Sequence, residues 1–325
     1  MPENKPSRAI ASISAVLAFA GLLSGCATLP EDATIEPVDY RACLVTDGAA
    51  DRAGLNDSAL YSLNEAVVSF GIKKTIIAAN PSKFIKVTDK LIKAECHLIA
   101  VVGSRFSESL KDVVATNPAT NFLFITDGSD RALVAEDLPN LVVYRIDLYE
   151  AGLLAGHIAS SFTETRSLTV VCNRTATPFL SGVKAGAAQF DLENGTLTLV
   201  NSGLMQTPSS DVLLPYNCTK PIVLQPDSPS NNKLVGYGRD LYLEPSLAEV
   251  KESIGATIIP GAGPRLLEAI AADLESEFIG GKLGSTTASF GNGGLLISDE
   301  HAIALPSGEL QKLKDLAMAY ETSFK

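Results

Sequence analysis

Short apolar runs alternate with stretches of helical spacing along the chain from about residue 40. The apolar runs are typical of strands buried on both faces, and they lie at residues 42–45, 74–79, 97–103 and 122–126. Between them apolar side chains recur every three or four positions, which predicts amphipathic helices at residues 58–70, 84–93 and 107–117. Strands alternating with helices at this pitch predict a parallel, doubly wound α/β sheet.

The same alternation continues and then restarts near residue 165. A strand and a helix rich in small residues are predicted at 141–146 and 149–162, and a new strand–helix pair at 168–172 and 179–190. Further strands are predicted at 196–200, 221–225 and 233–237. Further helices are predicted at 264–278 and 307–323, the last capped by Ser307, with a strand-like glycine turn between them at 285–298.

The restart predicts two similar lobes rather than one long sheet. A chain of 325 residues is long enough for two domains of ordinary size. We assign residues 39–162 plus about 283–325 to lobe 1 and residues 163–282 to lobe 2. Two lobes joined by crossovers predict a cleft between them that opens and shuts on a hinge.

The first 26 residues have the pattern of a targeting segment and not of a folded element. Lys5 and Arg8 form a positive n-region, and residues 9–22 form an apolar run too short to span a membrane comfortably. The Leu-Ser-Gly-Cys sequence that ends at Cys26 resembles a bacterial lipobox, so we expect Cys26 to be lipidated and residues 27–38 to be a tether. The alternative is an ordinary secretory peptide cleaved at a later Ala-x-Ala-like site.

Composition and charge narrow the class of protein. Hydrophobic residues make up 46% and charged residues 19% of the chain, which is typical of a globular protein. The formal net charge of −11 becomes −12 once residues 1–25, with two basic and one acidic side chain, are removed. Nucleic-acid binding needs a basic face, so we expect no nucleic-acid partner.

The cysteines and histidines do not form a recognisable metal site. None of Cys43, Cys96, Cys172 and Cys218 is spaced as CxxC, and the chain has three histidines, to which no partners are assigned. We therefore expect no metal and no cofactor. Cys172 and Cys218 could pair in an oxidising compartment, with buried free thiols as the alternative. The sequence has no GxSxG, P-loop or HExxH motif, and we expect neither catalytic residues nor enzymatic activity.

The strongest candidate for a binding site is the first strand–loop–helix junction. The strand at 42–45 runs into Asp47, and a helix restarts at residues 56–58. In an open α/β sheet the carboxyl ends of strands and the exposed N–H groups of helix starts converge on ligands. We expect Asp47 and Asn56 to face the cleft. The alternative roles are local, because an acid or an asparagine before a helix is also a good N-cap.

Ordered motifs along the chain resemble the basic-membrane-protein family. They are the lipobox, LVTDGAADRAGLNDSAL at 44–60, EAGLLAGHIAS at 150–160, PFLSGVKAG at 178–186, VGYGRD at 235–240 and FIGGKLGSTTASFGNGGLLIS at 278–298. Members are lipoprotein substrate-binding proteins of ABC transporters, related to nucleoside-binding receptors. The resemblance implies a type I periplasmic-binding-protein fold, with two doubly wound parallel-sheet lobes and a ligand cleft between them.

In lobe 1 the resemblance assigns most of the family's ligand-binding positions. Asp47 matches the first acid of the family's opening motif and Asn56 its asparagine, while Leu55 stands where the family has phenylalanine. Asp127 matches the acid that closes the F-x-x-I-D strand. Carboxylates and amides at strand ends hydrogen-bond sugar hydroxyls and base edges, and an aromatic ring stacks on a base.

In lobe 2 the resemblance is weaker. Phe179 matches an aromatic residue of the family, with a core position as the alternative, and Asp240 matches the second acid of G-V-D-x-D. The first acid of that motif, which the resemblance assigns to ribose hydroxyls, is replaced by Gly238. A lysine of the family falls near Pro260 and has no counterpart.

The resemblance implies a lipid-anchored, extracytoplasmic solute-binding protein of an ABC importer. Its ligand would be a nucleoside or a similar small polar molecule, and its partners the ABC permease and, through the lipid, the membrane. The alternative is a sensory or scaffold lipoprotein on the same fold with a degenerate ligand site. An importer permease and ATPase encoded beside the gene would favour transport.

Overall fold

A computed structural model describes residues 38–47, 54–127, 138–164, 167–171, 177–188, 196–200, 212–215, 233–238, 251–276, 278, 285–298 and 304–323. Several features predicted from the sequence lie outside these residues. They are the targeting segment with Cys26, the tether up to residue 37, the strand at 221–225, Asp240, Cys172 and Cys218.

The described strands and helices alternate along the chain. The strands are β1 (Arg41–Thr46), β2 (Lys73–Ala78), β3 (Leu98–Val102), β4 (Asn121–Thr126), β5 (Leu141–Ile146), β6 (Ser167–Val171), β7 (Thr196–Val200), β8 (Val212–Pro215), β9 (Lys233–Tyr237), β10 (Ile254–Pro260), β11 (Thr286–Ala288) and β12 (Leu295–Ser298). The helices are α1 (Leu55–Phe70), α2 (Phe84–Lys93), α3 (Ser107–Thr116), α4 (Leu148–Phe162), α5 (Thr177–Ala188), α6 (Gly263–Leu274) and α7 (Glu309–Ser323).

The strands form two six-stranded sheets with the same winding. The first has the order β11-β5-β4-β3-β1-β2 and the second β12-β10-β9-β8-β6-β7. Neighbouring strands are parallel, except that β12 runs antiparallel to β10. In each sheet the chain first winds to one side of its opening strand and then to the other. The predicted doubly wound α/β class is therefore confirmed.

Two strands were absent from the sequence-based prediction, and some helix starts differ from it; α7, for example, begins at Glu309, two residues after the predicted cap Ser307. The strands β8 and β10 were not predicted, since β8 is only four residues long and β10 contains Gly255 and Pro260, which weaken a strand signal. Helix α1 begins at Leu55 after Gly54, whose extended backbone forms the N-cap, so Asn56 lies inside the first turn. This placement leaves the Asn56 amide free of the capping role.

Helices α4 and α5 approach each other so closely that only glycine fits at four contact positions. Gly152 and Gly156 on α4 face Gly182 and Gly186 on α5. A Cβ atom on Gly156 would lie 2.2 Å from the carbonyl oxygen of Val183, and one on Gly186 would lie 2.0 Å from that of Leu153. Such distances are far inside van der Waals contact, so the absence of side chains sets the distance between the two helices.

On each sheet packs one helix that follows, along the chain, a strand of the other sheet. Helix α4 follows a strand of the first sheet but packs on β8, β9 and β10 of the second. Helix α6 follows β10 of the second sheet but packs on α1, β3 and β4 of the first. The Ser58 hydroxyl of α1 accepts the backbone N–H groups of Ala262 (2.9 Å) and Gly263 (3.2 Å) and so caps α6.

The residue ranges assigned to the two lobes stay a prediction. They can be compared with the sheet on which α4 and α6 pack and the sheet to which β12 belongs. Residues 39–162 include α4, which packs on the second sheet, and residues 163–282 include α6, which packs on the first. Strand β12, inside the range 283–325, belongs to the second sheet. The chain therefore passes between the sheets at Asp147, at residues 261–262 and at residues 289–294, which we call the crossover segments.

A disulfide joins Cys43 on β1 to Cys96, just before the adjacent strand β3. Their Cα atoms are 5.9 Å apart, and both residues are buried in the apolar cluster on one face of the first sheet. The sequence offered Cys172 and Cys218 as a possible pair and did not single out this one. Strands β1 and β3 are neighbours only because the sheet is wound, so their cysteines are distant in sequence.

A buried ion pair links α4 to the start of α7. His157 Nε2 lies 2.9 Å from Glu309 Oε2, and both side chains are almost fully buried. Burial raises the pKa of the Glu309 carboxyl, but hydrogen bonds from Lys312 and His157 outweigh it and hold the pKa below its ordinary value. This histidine therefore has a structural partner that the sequence did not reveal.

Candidate functional site

The carboxyl edge of the first sheet has a switch point between β1 and β3. After β1 the chain winds to β2 on one side, and β3, β4 and β5 follow on the other side. At such a point the loops after the two strands diverge and leave a crevice, which is where open α/β sheets bind ligands. Asp47 directly follows β1, and Gly103 directly follows β3.

Asp47 and Asn56 are brought together at this switch point. The Asn56 amide Nδ2 donates a hydrogen bond to Asp47 Oδ1 over 3.1 Å, and both residues are half-buried. The other carboxylate oxygen faces the end of β3, because a Cβ atom on Gly103 would lie 3.4 Å from Asp47 Oδ2. Gly103 has φ +117°, a conformation that favours glycine. The side chain of Asp47 is thus held from the α1 side and given room on the β3 side.

Asp127 and Leu55 lie on either side of this pair. Asp127 follows β4, is half-buried, and stands two strands from β1, a separation of about 10 Å at ordinary strand spacing. Leu55 opens α1 and is 9% exposed, with its side chain in the main apolar core. An aliphatic side chain offers no flat ring at this position.

The second sheet contributes differently from what the resemblance implies. Phe179 is fully buried, and its ring packs at 46° against Tyr237 with 4.9 Å between the ring centroids. This placement is that of a core residue, the alternative weighed from the sequence. Gly238 follows β9 with φ +89°, and apart from its chain neighbours no atom of the described residues lies within 4 Å of where its Cβ would be. A carboxylate in place of Gly238 would have open space before it, whereas the glycine supplies only backbone.

The crossover segments carry a group of polar residues that the sequence did not single out. Asp147 Oδ1 accepts the N–H of Glu150 (2.9 Å) and so caps α4, while Asp147 Oδ2 accepts the Tyr320 hydroxyl of α7 (3.0 Å). Burial, the Asp147 carboxylate and its hydrogen bond raise the pKa of Tyr320. The signal available in the sequence was Glu150, the one acid in this helix.

Glu150 is the most deeply placed acid of this group. Its side chain is 0% exposed, and Oε1 accepts the backbone N–H of Phe290 over 3.2 Å. Burial raises the pKa of Glu150 to about 8, against the lowering effect of the Phe290 hydrogen bond, and the carboxylates of Glu321 and Asp147 raise it further. The carboxyl is therefore mostly protonated at neutral pH.

Residues 40–198, which contain the Asp47–Asn56 pair and helix α4, match the family model Bmp, described as an ABC transporter substrate-binding protein, PnrA-like. Over this segment, which is just under half of the chain, the sequence is similar to the Bmp family. The resemblance stated from the sequence motifs is confirmed. The Bmp family is a substrate-binding family and not an enzyme class.

A relative with a curated description is similar over part of its length only. Basic membrane protein A1 of Borrelia garinii subsp. bavariensis is 26% identical over 126 residues, which is 38% of this chain and 36% of that protein. The chain thus matches little more than a third of the length of this relative. Basic membrane protein A of Borreliella burgdorferi is likewise 26% identical to this chain over 126 residues.

Solved structures establish the fold over a larger part of the chain than the Bmp match. An ABC transporter solute-binding protein from Conexibacter woesei superposes with a TM-score of 0.68 over 88% of this chain and 97% of its own, at 14% identity. One from Aeropyrum pernix K1 reaches 0.65 over 87% and 86%, at 17% identity. The fold is that of the type I periplasmic binding proteins. Within the described residues, no helix is both long and apolar enough to cross a membrane.

Proposed function

We propose that this chain is a lipid-anchored, extracytoplasmic solute-binding protein that delivers a nucleoside or similar small polar ligand to an ABC permease. The observation that carries the proposal is the Asp47–Asn56 pair at the switch point of the first sheet, inside the Bmp-family segment. A half-buried carboxylate with one oxygen held by an amide is a preorganised acceptor for ligand hydroxyl or N–H groups.

The ligand's polar contacts are proposed to come mainly from the first sheet. Asp47, Asn56 and Asp127 stand at its carboxyl edge, whereas the second sheet has Gly238 where the family has an acid and a buried Phe179. Leu55 and Gly238 are proposed as ligand-facing positions that give apolar and backbone contacts, and Asp240 as a further polar one. A nucleoside would then be held more through its hydroxyls at Asp47 than by stacking.

We further propose that the protein performs no catalysis. A binding protein needs affinity for its ligand and no stabilisation of a transition state. The absence of nucleophile and metalloprotease motifs in the sequence agrees with this role.

Replacing Asp47 by alanine is expected to weaken ligand binding ten- to hundredfold, because a hydrogen bond to a charged group contributes roughly 1.5–3 kcal/mol. The measurement is isothermal titration calorimetry against a panel of nucleosides, after the wild-type ligand has been found. Asp89→Ala is the matched control, since Asp89 is an exposed acid on α2 away from the switch point. Equal affinities of the Asp47 and Asp89 variants would remove Asp47 from the site.

The same nucleoside panel also distinguishes the two functions that the sequence leaves open, which are transport and a sensory or scaffold role. Binding of at least one nucleoside supports the transport proposal. Binding of another small polar solute instead would keep the site and change the ligand. If no small solute binds, while a protein partner does, the sensory or scaffold role replaces the transport role.

Changing Cys26 to alanine is expected to move the protein from the detergent phase, which retains membrane-anchored proteins, to the aqueous phase in detergent phase partitioning. A lipid chain is the proposed anchor, and Cys26 is its proposed attachment point. Ser24→Ala is the control, because it keeps a small residue at that position and should leave the protein with the membrane. The buried Cys43–Cys96 disulfide supports an oxidising, extracytoplasmic location. Retention of the Cys26 variant in the membrane fraction would contradict lipid anchoring.

A further inference from the structure

The three crossover segments meet in one place, and residues at the end of α7 form hydrogen bonds with two of them. The Asp147 N–H donates to Ala288 O over 3.0 Å, which joins the first segment to the end of β11. The Gly261 N–H donates to Gly294 O over 2.9 Å, which joins the second segment to the third. In two-lobed proteins, such segments absorb the change in backbone angles when the lobes move.

Carboxylates hold this junction together. Glu150, at the head of α4, accepts the N–H of Phe290 in the third segment (3.2 Å), and Glu321 of α7 accepts the N–H of the next residue, Gly291 (2.8 Å). Asp147 accepts the Tyr320 hydroxyl (3.0 Å). The contact from Glu150 joins the start of α4 directly to the loop between the sheets.

The environment of Glu150 opposes a charge. The residue is 0% exposed, and no described group lies within hydrogen-bond distance of its second oxygen, Oε2. The charged groups that act on it are Asp147, the N-cap residue of α4, and Glu321 on α7, both acidic, while the Tyr320 hydroxyl of α7 also lies within electrostatic reach. A protonated carboxyl is favoured over a carboxylate at this site, because it keeps one acceptor for Phe290 and carries no charge.

Deprotonation would place a third carboxylate charge beside two others. Such a charge regains its hydration only if the junction opens to water. We propose that protonated Glu150 is a latch between the start of α4 and the loop at Phe290, and that loss of its proton loosens this junction and thereby weakens ligand binding. The effect on ligand binding rests on the proposed function, while the effect on the junction does not.

The sign of the pH dependence follows from the direction of the pKa shift. The ordinary pKa is 4.5 and the folded one about 8, so the folded protein binds a proton that the unfolded chain has released. The stabilisation is complete below pH 4.5 and is lost as the pH rises through 8. We therefore expect the junction to be tight at pH 6 and looser at pH 9.

Amide hydrogen exchange of the full chain tests the latch directly. In the wild type, the protection factor of the Phe290 amide, corrected for the intrinsic effect of pH, is expected to fall about tenfold between pH 7 and pH 9. In Glu150→Gln, whose amide is neutral and keeps an oxygen acceptor for Phe290, the factor should stay constant. Glu108→Gln is the control, because Glu108 is exposed on α3 and should leave the wild-type profile unchanged.

A second variant keeps the test decisive if Glu150→Gln does not fold. Glu321→Gln removes one of the two neighbouring charges while retaining an acceptor for Gly291, so the midpoint of the Phe290 profile should move to lower pH. Profiles of the wild type and Glu321→Gln that coincide from pH 6 to pH 10 would overturn the proposal. So would a Glu150→Gln profile that falls in parallel with the wild type.

Calorimetry at pH 7 and pH 9 then connects the latch to the ligand. Wild-type affinity for the bound nucleoside should fall between these pH values, and that of Glu150→Gln should not. If no nucleoside binds but the exchange midpoint is present, the latch stands and the proposed ligand fails. If a nucleoside binds and the exchange profile is flat, the latch fails and the proposed function stands.

Discussion

Replacing Gly156 by alanine is expected to destabilise the protein by about 3 kcal/mol, at the upper end for overpacking a tight interface. The new Cβ would lie 2.2 Å from the carbonyl oxygen of Val183, so α4 and α5 must move apart. Helix propensity alone predicts the opposite, because alanine is favoured over glycine within a helix by about 1 kcal/mol. Urea unfolding measures the change, and the sign of the result distinguishes the two effects.

Ser181→Ala is the matched control for this prediction. Ser181 is exposed on α5, so its replacement by alanine should change the free energy of unfolding by no more than about 0.5 kcal/mol. Gly186→Ala should repeat the loss from the other helix, since its Cβ would meet Leu153 O at 2.0 Å. A stabilised Gly156→Ala protein would show that the helices are less closely packed than the distances indicate.

Removing the disulfide with the double change Cys43→Ala and Cys96→Ala is expected to lower the free energy of unfolding by about 4 kcal/mol. The bond closes a loop between residues 53 positions apart, and a cross-link of that span restricts the unfolded chain by about this amount. In a protein of this size, the melting temperature should fall by about 6 °C. Thermal unfolding of the oxidised proteins measures the difference.

Reduction with dithiothreitol provides the control. Reduced wild type should unfold at the same temperature as the double variant, with a small offset for the lost sulfur atoms. The reductant should leave the double variant itself unchanged unless Cys172 and Cys218 also pair, which a free-thiol titration of the unfolded variant determines. Equal melting temperatures of oxidised wild type and the double variant would contradict a stabilising bond between Cys43 and Cys96.

Regular elements with a strong period could be predicted from the sequence almost to the residue. Helix α2 and strand β5 have the predicted bounds, because an amphipathic period and an unbroken apolar run are local signals. Strand β10 was missed, since glycine and proline interrupt its apolar pattern, and it forms through pairing with β9 and β12. Its stability depends on partners far away in the chain, which no local pattern records.

The sequence predicted the sheet edge at which the candidate site lies, but not the contacts between its side chains. Asp47 could be placed at a strand end from the apolar run before it, and the motif resemblance named Asn56 as its companion. That the Asn56 amide holds the Asp47 carboxylate follows from α1 beginning one residue before Asn56, at Leu55. For Phe179 the sequence left a ligand contact and a core position open, and the role of Glu150 was not predicted, because both depend on what packs against them.

The sequence by itself determined the class of the fold and the place of the first strand–loop–helix junction. Both follow from periodicity and turn chemistry, which act between residues close in the chain. The tertiary structure alone decided that Cys43 meets Cys96, that α4 and α6 each pack on the other sheet from the strand before them, and that Glu150 is buried within electrostatic reach of two other acids. These features arise where distant segments meet, and their energies come from exclusion of water and close packing, which a single stretch of sequence does not contain.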